Sequence, residues 1–379
     1  MSFSELGLSA ELLRAIATTS YAAPTPIQAA AIPAILREQD VRACAQTGSG
    51  KTAAFVLPVL QRLVKEARAG DRHVGALVLV PTRELAVQVG EACRAFSRYL
   101  PAIKVLTVFG GVSINPQMLA LRGGADIVVA TPGRLLDLVE HNAIRLSAVR
   151  MLVLDEADRL LDEGFADELT RVLAHLPERR QNLLFSATFP PAVQALAERL
   201  LREPVQIDVA ASAATTPDIQ QRSIAVDPAR RTALLRHLIQ HHGWERTLVF
   251  VATKHSTEHV ALKLRRLNIT AAALHGELSQ GARSAALADF KAGRLRVLVA
   301  TDVAARGLDI TGLPAVVNYD LPRSTHDYPH RIGRTGRAGA SGVAVSFVSP
   351  ATEAHFRLIE KRLRCRLPRE QVPGFELSP

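Results

Sequence analysis

The sequence predicts an α/β protein of two similarly built domains, each a mostly parallel sheet covered by helices on both faces. Three observations carry that expectation. The chain has 379 residues, and at roughly 150 residues per domain this suits two domains, each large enough to bury its own core. Short apolar runs rich in Val, Leu and Ile recur through both halves, separated by longer helical stretches, as in βαβ units with buried parallel strands. Between the halves lies Asp208-Val-Ala-Ala-Ser-Ala-Ala-Thr-Thr-Pro-Asp218, small and polar, which reads as a linker.

In the first half the expected strands are Val41–Ala45, Ala76–Val80, Val105–Phe109, Ile127–Ala130, Met151–Leu154 and Leu183–Phe185. In the second they are Thr247–Val251, Ala271–Leu274, Val297–Ala300, Ala315–Tyr319 and Val343–Val348. The domains are expected at 1–207 and 220–379, with the linker at 208–219. Composition limits the class of protein. With 48% hydrophobic and 22% charged residues, wholesale disorder is excluded. No apolar run approaches the ~18 residues of a membrane span, and Met1-Ser2-Phe3-Ser4-Glu5 does not open a secretory signal. Cys44, Cys93 and Cys365 lie far apart without a CxxC pair, the usage of a reduced, cytoplasmic chain without structural zinc. The net charge of +10 is unevenly spread: from Gln221 onward 24 Lys and Arg face 13 Asp and Glu, and before it 22 face 23. A basic domain beside a near-neutral one suggests a polyanionic partner, most simply nucleic acid.

The strongest local signal is Ala45-Gln46-Thr47-Gly48-Ser49-Gly50-Lys51-Thr52, set between an apolar run and a helical stretch. That is the context of a phosphate-binding loop. Gly48 and Gly50 let backbone N–H groups turn inward around phosphate oxygens, and the helix N-terminus adds free donors and a favourable dipole. Lys51 is expected on the β- and γ-phosphates and the Thr52 hydroxyl on Mg²⁺. Ala45 replaces the leading glycine of the general pattern. Met151–Leu154 then runs directly into Asp155-Glu156-Ala157-Asp158, acids at a strand's carboxyl end. Asp155 is expected to hold Mg²⁺ through water, and Glu156 to orient or deprotonate the attacking water.

With Asp-Glu-Ala-Asp in place, the chain resembles the DEAD-box ATP-dependent RNA helicases of superfamily 2 over roughly Phe3 to Arg337. The opening Phe3-Ser-Glu-Leu-Gly-Leu, the Ala23-Pro-Thr-Pro-Ile-Gln28 segment and the closing Pro373-Gly-Phe look most like the bacterial RhlE-like subgroup. The resemblance implies two tandem RecA-like domains using ATP and Mg²⁺. It implies that Gln28 reads the adenine edge, with Tyr21 packed on the adenine face and Phe3 supporting the pocket. Pro81-Thr-Arg83-Glu-Leu-Ala86, Gly110-Gly111 and Thr131-Pro-Gly-Arg134 resemble the RNA-backbone motifs of the first domain, and Ser186-Ala-Thr188 the motif that couples nucleotide state to strand separation, whose hydroxyls the resemblance implies as partners of Asp158. In the second domain, Gly276, Thr301 and Arg306 are implied at RNA, Gly307 and Asp309 at the nucleotide, His330 in coupling, and Arg334 and Arg337 as arginine fingers on the γ-phosphate. Pro329 stands where relatives usually carry an aliphatic residue.

The resemblance therefore implies RNA-stimulated ATP hydrolysis coupled to local opening of short RNA duplexes, with low sequence specificity because backbone contacts dominate. The expected partners are single-stranded and short duplex RNA, ribosomal or other ribonucleoprotein particles among them. A monomer in the cytoplasm, with no membrane, is expected. Two alternatives stand beside it: a nucleotide-gated RNA clamp or annealing protein with little unwinding, and a DNA-directed translocase. Lys51, Asp155, Glu156, Arg334 and Arg337, all present, argue against a non-catalytic clamp.

Overall fold

The computed structural model describes residues 1–19, 21–45, 48–65, 73–100, 103–162, 164–209, 219–305, 308, 310, 312–336 and 341–377. The chain divides into two compact units, Met1–Ser212 and Ala213–Pro379. Of the expected linker, residues 210–218 lie outside the described residues.

The first unit holds β1 (Val41–Cys44), β2 (Ala76–Leu79), β3 (Val105–Val108), β4 (Ile127–Ala130), β5 (Met151–Leu154), β6 (Gln181–Ser186) and β7 (Val205–Asp208). They form one sheet in the order β3-β4-β2-β5-β6-β1-β7, and every pairing is parallel. Alternate side chains feed two cores. Ala76, Val78, Ile127, Val129, Met151, Val153, Leu183 and Phe185 face one side, together with the buried helix Lys51–Lys65. Leu77, Leu79, Val128, Ala130, Leu152, Leu154 and Leu184 face the other. Burial on both faces is why these strands read as continuous apolar runs.

The second unit repeats the plan with β8 (Ile219–Ala225), β9 (Thr247–Phe250), β10 (Ala271–Leu274), β11 (Val297–Ala300), β12 (Ala315–Asn318), β13 (Gly342–Val348) and β14 (Arg369–Glu370). Its order, β10-β11-β9-β12-β13-β8-β14, is that of the first sheet with each strand number raised by seven. All its pairings are parallel too. In each unit the strands' carboxyl ends therefore share one edge, where open α/β sheets bind ligands.

Three strands fall outside the sequence expectations. β7, Val-Gln-Ile-Asp, is an edge strand whose residues alternate in burial. β8, Ile-Gln-Gln-Arg-Ser-Ile-Ala, is polar through its first half, and β14 has two residues. Both ends of the expected linker are strand residues: Asp208 pairs with Cys44, and Ile219 with Gly342. The Asp208 carboxylate holds that edge through Arg42 Nη1 at 3.3 Å. Among the described residues, no helix is long and apolar enough to cross a membrane.

Candidate functional site

Between β1 and the helix Lys51–Lys65 the chain makes a tight turn in which Gly48 and Gly50 have φ of +84° and +92°. Those values suit glycine and strain any other residue. At Gly50 an added Cβ would lie 2.5 Å from Gln28 Nε2. Gln28 is fully buried. Its Oε1 accepts from the Thr25 amide at 3.0 Å, and its Nε2 donates to the Gly50 carbonyl at 3.1 Å. The glutamine thus fastens the start of the helix Pro26–Leu36 to the glycine turn. Lys51 is buried and its Nζ donates to the Ala45 carbonyl at 2.8 Å. Ser49 Oγ is buried without a partner among the described residues, and Thr52 is half-buried. Gln46 and Thr47 lie outside the described residues. Tyr21 stands between Phe3 and Phe96, ring centres 6.3 and 6.1 Å away.

Beyond β5, Asp155, Glu156, Asp158 and Arg159 are all buried. Burial pushes the Asp155 carboxyl up to about 6; Lys51 pulls against that rise and Glu156 adds to it. Asp155 Oδ1 accepts from the Glu156 amide at 2.9 Å. Glu156 itself has φ +53°, and its Oε2 accepts from Arg159 Nη1 at 3.0 Å. Asp158 Oδ2 accepts from the Thr188 amide at 3.0 Å and from Thr188 Oγ1 at 2.7 Å, while Ser186 Oγ accepts from the Asp158 amide at 3.2 Å. A hydrogen-bonded path thus runs from Asp155 through Glu156, Arg159 and Asp158 to Ser186 and Thr188. Arg159 was not singled out in the sequence; the only signal was its place directly after Asp158.

A Mg²⁺–nucleotide fits these residues. Gly48 and Gly50 bring no Cβ into the turn, Ser49 offers a hydroxyl with no partner among the described residues, and the Lys51 ammonium meets a carbonyl. Among the described residues no three acidic, imidazole or thiol groups converge on one point. A cation at Asp155 would therefore take its remaining ligands from phosphate, water and Thr52, the usual habit of Mg²⁺.

The loops after β2, β3 and β4 sit on the same edge. The Arg83 guanidinium lies against Gly111, whose φ is +74° and where an added Cβ would collide with it. Gly110 faces open space. Thr131 is buried ahead of the helix Pro132–Glu140. Arg134 is turned inward: Nη2 donates to the Val112 carbonyl at 2.8 Å and Nε to Asp137 at 3.3 Å, while the buried Nη1 has no partner among the described residues. The structure thus brings Arg83, Gly110, Gly111 and Arg134 into one loop cluster.

In the second unit, His275 is buried, with Nε2 2.9 Å from Glu258 Oε1, and Gly276 is exposed beside open space. Thr301 is half-buried, and its Oγ1 accepts from the Ala304 amide at 3.4 Å. Arg306, Gly307, Asp309 and Arg337 lie outside the described residues. The segment that carries His330, Arg331 and Arg334 is helical over Asp327–Ile332; Gly333 caps it, and Thr335 bridges to Leu313. Pro329 occupies the first helical turn, where its missing N–H would have no partner in any case. His330 is half-buried. Arg334 is buried, with Nη1 donating to the Leu308 carbonyl at 2.5 Å. The brace of this region is Arg331, which was not singled out in the sequence. It grips Asp302 with Nε at 2.5 Å and Nη2 at 2.6 Å, and reaches Asn318 Oδ1 at 3.1 Å and the Asp320 carbonyl at 2.6 Å with Nη1.

A glycine turn between a strand and a helix N-terminus, with strand-end acids beside it, is the arrangement of P-loop nucleotide-binding proteins. Comparison with known proteins carries this further. The family described as DEAD/DEAH box helicase matches residues 25–196, and the helicase conserved C-terminal domain matches residues 230–339. The chain belongs to the DEAD/DEAH box helicase family. It is 45% identical to the ATP-dependent RNA helicase DeaD of Mycobacterium tuberculosis, over 99% of this chain and 65% of that protein. With the DEAD-box ATP-dependent RNA helicase CshA of Geobacillus kaustophilus it shares 41% identity, over 99% of this chain and 79% of the relative. These relatives carry the DeaD and CshA names, not the RhlE-like one expected from the sequence. The chain thus spans about two thirds of the length of the DeaD relative. Among solved structures, it resembles Saccharomyces cerevisiae Dbp5 bound to RNA and ADP BeF3, with TM-score 0.85 and 33% identity over 98% of this chain and 95% of that one. These neighbours match the two-sheet architecture described above and make it a pair of tandem RecA-like domains.

Proposed function

We propose that the chain is an ATP-dependent RNA helicase, hydrolysing ATP when RNA is bound and using the cycle to open short RNA duplexes. The observation that supports this best is the continuous path from the acids beside the glycine turn to Ser186 and Thr188. It ties residues placed for phosphate chemistry to a segment that can report their state. Gln28 is assigned to the adenine edge: beyond the bonds to Thr25 and Gly50 its amide keeps a second N–H and a second lone pair, the donor and acceptor that this edge needs, and a base of the opposite pattern is penalised. Lys51 binds the terminal phosphates, Thr52 and Asp155 hold Mg²⁺, and Glu156 orients the attacking water. Mg²⁺, when bound, neutralises phosphate charge. Gly307 and Asp309 serve the nucleotide, and Arg334 and Arg337 serve the transferring phosphoryl group. Arg83, Gly110, Gly111, Thr131, Arg134, Gly276, Thr301 and Arg306 are assigned to the RNA backbone, and Asp158, Ser186, Thr188 and His330 to coupling. The protein acts in this reading as a cytoplasmic monomer on RNA, alone or within ribonucleoprotein particles. Relatives named as RNA helicases and a neighbour solved with RNA and a nucleotide analogue support the reading.

The deciding experiment compares ATP turnover with single-stranded RNA and with DNA of the same sequence. Stimulation by RNA alone is the expected result. Equal stimulation by DNA would replace the RNA helicase with a DNA-directed translocase on the same fold.

A further inference from the structure

We infer that Arg159 is a positioning residue for ATP hydrolysis, holding the Glu156 carboxylate where the attacking water is oriented. The inference rests on the hydrolytic reading above and adds to it a residue not yet given any role. Glu156 sits in the left-handed region at φ +53°, which a residue with a Cβ adopts only when its surroundings enforce it. Its carboxylate is buried, and a desolvated carboxylate needs a hydrogen-bonding cation. Arg159 Nη1 supplies it at 3.0 Å. The need is sharp here, because Asp155 and Asp158 are buried in the same turn and repel a third negative charge. Lys51 is drawn electrostatically to Asp155, so Arg159 is left as the cation for Glu156.

Arg159 is itself fixed on two sides. Its backbone amide donates to Asp158 Oδ1 at 3.1 Å, and the other oxygen of that carboxylate is held by Thr188. Glu156 stands directly ahead of the helix Ala157–Asp162, and Arg159, three residues on in its first turn, brings its guanidinium onto the Glu156 carboxylate. Arg159 therefore joins the water-orienting acid to the segment assigned to coupling. Without it, Glu156 keeps its charge but loses the geometry that makes the charge useful.

The test measures steady-state phosphate release with Mg-ATP and saturating single-stranded RNA, for the full chain and its Arg159→Gln, Arg159→Lys, Glu156→Gln and double Glu156→Gln/Arg159→Gln variants. Glu156→Gln itself is expected to lose about 10²–10⁴-fold in turnover. Arg159→Gln should lower kcat about 10–100-fold, the range seen when a supporting partner of a functional group is removed. KM for ATP and the affinity for a fluorescent nucleotide should stay within about threefold, and Arg159→Lys should recover part of the loss. In the double variant the Arg159 substitution should add no further loss, because there is no carboxylate left to position. The double variant also lacks an unpaired buried charge, so its comparison with Glu156→Gln holds even if Arg159→Gln folds poorly. Wild-type kcat in Arg159→Gln, or losses that multiply in the double variant, would overturn the inference while leaving hydrolysis by Glu156 standing. A wild-type chain without turnover would instead overturn the hydrolytic reading, and the role of Arg159 with it.

Discussion

The two units carry the same seven-strand order, yet the equivalent position on each sheet does opposite things. In the first, six residues (45–50) lead from β1 to a helix that begins with Lys51; in the second, five (226–230) lead from β8 to a helix that begins with Arg231. Among the described residues the Lys51 ammonium donates to a backbone carbonyl, and the acid beyond β5, Asp155, is left buried with a raised pKa. Arg231 instead reaches the acid beyond β12, Asp320, at 2.9 Å, and the other Asp320 oxygen accepts from the Ala252 amide at 2.9 Å. Among the described residues one cation and one acid thus form no close ion pair in the first unit, where Lys51 acts on Asp155 only at longer range, and are joined in the second. The glycines make the difference: Gly48 and Gly50 hold the first turn open at positive φ, whereas residues 226–230 contain no glycine and end in a 3₁₀ turn over Pro228–Arg230. A scaffold that leaves the pair apart has room for a charged ligand; one that closes it has used the same charges for stability.

The hardest test of that contrast asks whether the second unit, having closed its own pair, still contributes to chemistry. Arg337→Ala should lower RNA-stimulated ATP turnover by about 10³–10⁵-fold, the worth of an arginine finger in phosphoryl transfer. Nucleotide affinity should change far less. Turnover within tenfold of wild type in a phosphate-release assay would confine the chemistry to the first unit.

A second substitution probes what the second unit uses its charges for. Arg331 is 2% exposed and ties Asp302, Asn318 and Asp320 together. Arg331→Gln leaves the Asp302 carboxylate without its forked partner and should cost about 3–5 kcal/mol. The chain has one tryptophan, Trp244, buried in the core of the second unit. Urea unfolding followed by Trp244 fluorescence should therefore show an earlier transition. The first unit, followed through bound fluorescent nucleotide, should unfold where it did before. An unshifted Trp244 transition would mean that the brace adds nothing.

Arg331 also marks where the sequence stops being readable. The glycine turn, Asp155 and Glu156, and the Gly110-Gly111 pair are contiguous, and contiguous residues declare their chemistry by spacing. Arg331 acts on Asp302, 29 positions earlier, and nothing in the local pattern announces that reach. Arg159 is adjacent to a legible motif, but which carboxylate it grips depends on a backbone angle at Glu156. The strands divide in the same way. Central strands buried on both faces are plain apolar runs, whereas β7 shows one buried face and β8 fills an interior slot with glutamines and an arginine.

If the division of labour between the units is real, ATP and RNA must help each other bind, because residues assigned to each ligand come from both halves. A non-hydrolysable ATP analogue should tighten a short single-stranded RNA by about 5–150-fold, a coupling of ~1–3 kcal/mol, and RNA should tighten the analogue by the same factor. RNA affinity should also fall with salt. Fluorescence anisotropy at fixed salt, with and without the analogue, measures the factor directly. Equal affinities would leave two units that bind their ligands separately.

The smallest effect tests the open pair itself. Asp155 is buried with its pKa raised to about 6 against an ordinary 3.8, so in Mg²⁺-free and nucleotide-free buffer it is a charge held at a cost. Above pH 6 the carboxyl is ionised in both folded and unfolded chains, and folding bears that cost in full. Between about 6 and 3.8 the folded chain takes up a proton that the unfolded chain does not, so this destabilisation fades as pH falls. Asp155→Asn never ionises, and its Oδ1 can still accept from the Glu156 amide. At pH 8 the variant should melt a few degrees above wild type, on the order of 1 kcal/mol; the difference should shrink through pH 6 and vanish near pH 4, while ATP turnover is lost at every pH. The closed pair of the second unit gives the opposite sign, because Asp320→Asn removes a charge that Arg231 already stabilises and should lower the melting temperature at pH 8. If Asp155→Asn were destabilising at pH 8, Asp155 would be a satisfied structural acid like Asp320, and the first unit's pair would be no more open than the second's.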